Sequence, residues 1–135
     1  MSLCHLSGGP YQAFAGVKSQ DVTFFDNQEK LRYEGLPRDT IGGIVFLRFS
    51  KVGERAFCSS CYTPLAMRYK HEAEIVALAL GAIDEESLTA EVKDAFRLAA
   101  HIFAGQKAWW VDIEQDGLPK HDRFSGDFEA NMDER

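Results

Sequence analysis

A chain of 135 residues is long enough to enclose a core without disulfide staples, and its hydrophobic fraction of 45% is that of a folded soluble protein. No apolar run approaches the roughly 18 residues of a membrane span, and the opening MSLCHL lacks the basic flank and apolar stretch of a secretory signal. A formal charge of -6, with the basic residues scattered singly among acids, argues against nucleic acid as a partner.

In chain order, Gly8, Gly9 and Pro10 punctuate the start, and YQAFAGV after them is predicted as a short strand. VTFF from Val22 and LRY from Leu31 flank the polar turn Asp26-Asn27-Gln28 and read as a hairpin. Gly42 and Gly43 lead into IVFLRF, a turn over Lys51 to Gly53, and the strand ERAFC. LAMRY after Pro64 and EIVALAL from Glu74 continue the β pattern, the second apolar enough to be covered on both faces. Leu88, Val92, Ala95, Phe96 and Ala99 recur at helical spacing, which predicts a helix over Glu85 to Leu98 with Ser87 as its cap. HIF and WWVDI read as late strands, and residues 125–135 as an irregular tail. The expected fold is mainly β, a single domain over 1–135 with at most one or two short helices. Asp84 to Glu86 and the acids of the tail read as solvated surface.

The cytoplasm is the expected setting. Thiols stay reduced there, so the three cysteines read as ligands, nucleophiles or packed apolar groups. In FCSSCYTPL, Cys58 and Cys61 lie two residues apart in a turn between strands, the geometry from which a zinc knuckle supplies half of a tetrahedral shell. Further donors would come from Cys4, His5, His71, His101 or His121. Two rival readings are apolar filling beside Phe57 and a redox pair. Redox pairs usually open a helix, whereas Thr63-Pro64 and a β run follow here.

Four stretches together resemble the glutathione-dependent formaldehyde-activating enzyme family, which also includes centromere protein V. They are the turn Phe57, Cys58, Cys61, Thr63, Pro64 and Leu65, with Tyr62 where glycine is usual; SGGPYQAF; EIVALALGAIDE; and HIFAGQKAWWVDIEQDGLP. The resemblance implies a β-tent of small antiparallel sheets bearing zinc, and carbon-sulfur lyase activity on thiol-aldehyde adducts of the S-hydroxymethylglutathione type. It also implies that Cys58 and Cys61 are half of a structural zinc site and that Cys4 is the last cysteine of a catalytic zinc cluster. Met1 stands where that cluster's Cys-x-x-Cys half would begin, so the chain either starts late relative to the pattern or is a short, degenerate member. The structural zinc then has two protein sulfurs in place of four and the catalytic zinc one in place of three. The alternative is therefore a non-catalytic module, binding zinc or metal-free, that keeps the fold. A missing first strand would also leave a sheet edge that favours pairing between copies of the chain.

The remaining residues read more plainly. His5 and Cys4 point to opposite faces if the segment is extended. His101 is expected as a hydrogen-bonded core histidine, and Trp109 and Trp110 as wall and core. The resemblance places Lys107 and Trp110 near a substrate cleft.

Overall fold

The computed structural model describes residues 9–23, 43–48, 50–59 and 61–124. The chain divides into two compact units, one of Phe14–Ser87 and one of Met1–Ala13 with Leu88–Arg135. It is mainly β, with a single five-stranded antiparallel sheet and one short α-helix among the described residues.

The sheet occupies the first unit. Its strands are β1 (Phe14–Lys18), β2 (Ile44–Leu47), β3 (Gly53–Cys58), β4 (Pro64–Tyr69) and β5 (Ile75–Ala79), in the spatial order β1-β5-β4-β3-β2. The register lines up Ala15, Leu78, Ala66, Ala56 and Phe46 in one row across all five strands. Side chains alternate between faces along a strand, so Val17 and Val76 form the next row on the same face. Ala56, Ala66 and Val76 are the buried centre, with Val17, Val22, Ile44, Phe46, Leu65 and Leu78 packed around them. The small alanines in mid-sheet let the larger flanking side chains close over the face. β5 is not sealed on both sides as its composition predicts: Val76 and Ala79 are buried, while Ile75, Ala77 and Leu78 stay half-buried.

The two ends of the β3–β4 hairpin differ in chemistry. At one end Gly53 faces Tyr69, where a Cβ on residue 53 would meet Arg68 O at 3.1 Å and the Tyr69 ring at 3.3 Å. One step in, Glu54 and Arg68 oppose each other and pair at 2.6 Å, with Arg48 at 3.8 Å from the same carboxylate. Such a half-exposed cross-strand pair contributes up to about 1 kcal/mol. At the other end the register slips, so that Ala56 pairs Ala66 but Phe57 pairs Pro64, leaving Leu65 as an extra residue on β4. Pro64, which has no N–H to donate, is tolerated there as the first residue of its strand. The bulge adjoins the cysteine turn.

In the second unit, α1 (Ala90–Ala95) is much shorter than the predicted helix over Glu85 to Leu98. Thr89, not Ser87, caps it, its hydroxyl accepting from Val92 N at 3.3 Å. The Ser87 hydroxyl instead donates to Asp84 O at 2.6 Å and helps close the separate 3-10 turn Glu85–Ser87.

HIF and WWVDI are not strands. His101 makes one isolated parallel bridge with Lys120, a 3-10 turn follows at Ala104–Gln106, and Val111 N bonds back to Ala108 O at 3.0 Å. Those local turns consume the groups a ladder would need. Ala108, Val111 and Ile113 form a small buried cluster, while Trp109 is 91% and Trp110 54% exposed, so the tryptophans are neither wall nor core. Of the predicted hairpin, Val22 and Thr23 are described and form no strand, while the rest of it from residue 24, the tail 125–135 and Cys4 with His5 lie outside the described residues. Among the described residues no helix is long and apolar enough to cross a membrane.

Candidate functional site

The tip of the β3–β4 hairpin is built by its backbone before its side chains enter. Cys58 N donates to Thr63 O at 2.9 Å, and Tyr62 N donates back to Cys58 O at 2.8 Å. Ser59 N donates to Gly43 O at 2.7 Å, tying the turn to the start of β2. Closing so tight a loop requires Tyr62 to take φ 58, a left-handed conformation that costs a residue with a Cβ about 1 kcal/mol. Glycine adopts it freely.

That turn sets two sulfurs side by side. Both thiols are unbridged, Cys58 half-buried and Cys61 exposed. Thr63 Oγ1 lies 3.0 Å from Cys61 Sγ. Donation from that hydroxyl, followed by the Thr63 backbone N–H and the Cys58 thiol, holds Cys61 below the usual thiol range. The groups that lower it are hydrogen-bond donors of the turn itself. Cys58 is half-buried and not the fully buried filler beside Phe57 that one reading expects.

The donor set matches half of a zinc site. Two cysteine sulfurs in one turn, with Cys61 Sγ 3.0 Å from the Thr63 hydroxyl, suit that ion's soft shell. Among the described residues, no group of three or more His, Cys, Asp or Glu side chains gathers around a common point. His71 sits in the 3-10 turn Lys70–Glu72, stacked obliquely on Tyr69 at 5.6 Å. That is the opposite end of β4, about 17 Å from the cysteine turn at the rise of an extended strand. His121 donates its backbone N–H to His101 O.

His101 belongs to a separate cluster in the second unit. Its Nε2 bonds Asp116 Oδ2, and its ring meets Tyr11 edge-on at 5.8 Å. Asp116 Oδ1 accepts from Leu118 N at 3.0 Å and lies 3.4 Å from Lys120 Nζ. The imidazole, then the Leu118 amide, hold the Asp116 carboxyl at about 2. His101 is thus the hydrogen-bonded histidine its sequence context predicts, on a bridge instead of a strand. Lys107 Nζ donates to Val111 O at 2.9 Å and so braces the loop carrying the exposed tryptophans. Asp84, Glu85 and Glu86 are exposed.

Thr63 and Asp116 were not candidates on sequence grounds. Each had a readable signal: a hydroxyl two residues past a cysteine, and an Asp-Gly dipeptide, the mark of a turn in which Gly117 takes φ 72. Compared with models of protein families, with curated proteins and with solved structures, the chain matches none.

Proposed function

We propose that this chain is a zinc-dependent carbon-sulfur lyase acting on thiol-aldehyde adducts of the S-hydroxymethylglutathione type. Cys58 and Cys61 brace the hairpin tip through a zinc ion, and Cys4 is the metal ligand at the reactive site. The observation that supports the reading most is the left-handed Tyr62 directly after the sulfur pair. It occupies the position where the resembled motif carries glycine, so the turn retains the backbone shape of that motif with a residue that adopts it at a cost.

Zinc, when bound at the reactive site, offers a thiolate sulfur a cationic partner as the carbon-sulfur bond forms or breaks. In the breaking direction the bonding pair stays on sulfur, the hydroxyl proton leaves and the carbonyl forms. The chain's own contribution at residues 57–65 is positional: the Cys58–Thr63 backbone bonds hold two sulfurs together, and the Thr63 hydroxyl orients one of them. The reading carries with it a tent-like arrangement of sheets, of which the five-stranded sheet is one panel, and a cytoplasmic setting in which thiols stay reduced.

A second reading is a non-catalytic module of the same ancestry. The absence of a third donor beside Cys58 and Cys61 among the described residues favours it. Mixing the protein with formaldehyde and glutathione, and following adduct formation before and after chelation, separates the two. A rate equal to the uncatalysed one, in protein whose zinc content has been measured, would sink the lyase.

A further inference from the structure

We infer that His101 and Asp116 form an acid-base pair that hydrolyses small uncharged carboxylic esters, with Asp116 positioning the imidazole and His101 Nδ1 taking the proton of the attacking water. The pair uses neither the cysteine turn nor a metal, so this activity and the proposed lyase stand or fall separately.

Backbone bonds fix both partners before their side chains meet. His101 N donates to Pro119 O and His121 N donates to His101 O, each at 2.8 Å, which ties residue 101 to the loop that carries Asp116. Within that loop, Asp116 Oδ1 accepts from Leu118 N at 3.0 Å and lies 3.4 Å from Lys120 Nζ, leaving Oδ2 for the imidazole. An ionised carboxylate only accepts, and the Asp116 carboxyl is held at about 2, so at neutral pH Nε2 is the donor and the lone pair of the neutral ring lies on Nδ1. Among the described residues nothing bonds Nδ1, and it is not sealed from water although the side chain is only 10% exposed. General-base catalysis needs this arrangement: one ring nitrogen anchored to a carboxylate that offsets the charge of the protonated ring, the other open to a reacting proton.

The neighbours select an uncharged substrate. Asp116 repels an anion. Lys120, the cation beside it, is already committed to Asp116 and to Leu118 O, the latter at 2.8 Å. Tyr11 packs edge-on against the imidazole at 5.8 Å and is 48% exposed, an apolar flank for an alkyl group. In the reaction Nδ1 takes a proton from water as the water oxygen adds to the ester carbonyl carbon and the carbonyl pair moves onto oxygen. When that pair returns, the carbon-alkoxide bond breaks and the alkoxide leaves with the proton from Nδ1. Ester and water become acid and alcohol, and no other reactant is consumed.

The test uses the full chain with a chelator present, so that no metal hydroxide contributes, and follows acid release from ethyl dichloroacetate in a pH-stat. The expected result is repeated turnover at a rate roughly tenfold or more above that of an equal concentration of N-acetylhistidine, and slower in heavy water. His101→Gln loses this acceleration, and Asp116→Asn loses most of it. Because either variant can also fail by misfolding, nitrogen NMR of the unaltered chain provides an independent measure: a neutral His101 protonated on Nε2 supports the pair, and one protonated on Nδ1 overturns it. A rate no greater than that of N-acetylhistidine overturns it, as does full activity in His101→Gln or an equal rate in light and heavy water.

Discussion

Thr63 Oγ1 lies 3.0 Å from Cys61 Sγ across the closure of the β3–β4 turn, and this contact is the first cause of the lowered thiol pKa. Removing the hydroxyl removes a donor that favours the charged form, so the pKa rises. In metal-free protein, Thr63→Val should shift the pH profile of Cys61 alkylation upward and slow the reaction near neutral pH. The side chain is exposed, so unfolding free energy should change by less than about 0.5 kcal/mol. An alkylation profile identical to that of the unaltered chain would remove Thr63 from the site.

Tyr62 tests the turn. Its left-handed backbone costs about 1 kcal/mol with a Cβ present. Its ring is 66% exposed, so little burial is lost on truncation. Tyr62→Gly should raise stability by a few tenths to about 1 kcal/mol in denaturant unfolding, the gain being trimmed by glycine's greater freedom in the unfolded chain. Phe103, at φ 55, gives the opposite expectation. Its ring packs edge-on against Phe124 at 4.8 Å, and glycine there would forfeit that contact. A destabilising Tyr62→Gly would mean that the ring, not the backbone, decides residue 62.

Asp116 gives a pH dependence whose sign is set by its depressed carboxyl, at about 2 in the folded chain against an ordinary 3.8. The folded state binds that proton less readily than the unfolded one. Its stabilisation is complete above about 3.8 and is lost as pH falls through about 2. Asp116→Asn should be less stable than the unaltered chain near neutral pH, with the difference closing across that acid window. A difference constant from neutral pH down to pH 2 would contradict the His101–Asp116 bond as its cause.

The tryptophan loop separates surface from core. Trp109→Ala should change unfolding free energy by no more than about 0.5 kcal/mol, because the ring is 91% exposed. Ile113→Ala, at 6% exposure in the cluster with Ala108 and Val111, should cost about 2 kcal/mol or more. Equal effects of the two substitutions in urea unfolding would place Trp109 inside after all.

Cys4 tests the proposed chemistry directly. Cys4→Ser should abolish acceleration of formaldehyde-glutathione adduct formation while leaving metal bound through Cys58 and Cys61 at its original stoichiometry. Retained acceleration would show that the reaction does not run through Cys4.

The five strands were legible because β-branched and aromatic runs bounded by glycine, proline and polar turns have few other ways to bury one face. The Cys-x-x-Cys pair was legible for a similar reason: a spacing of three in a tight turn brings both side chains to one side. WWVDI shows where such reading stops. Its alternation of Val111 and Ile113 is real and both are buried, yet the backbone closes on itself at Ala108 and forms no ladder. The helix likewise starts late, at Ala90, because the Ser87 hydroxyl bonds Asp84 O and Thr89 serves as the cap in its place.

By itself, the sequence determined the positions of the five strands and the cysteine turn, since these depend on local backbone preference and on the pattern of apolar residues. Only the tertiary structure decided which residues share the sheet's apolar row, that His101 meets Asp116, and that the tryptophans face water. Those outcomes depend on register and on contacts between residues distant in the chain, where the free energy of a pairing is set by what stands opposite and not by the residue's own type.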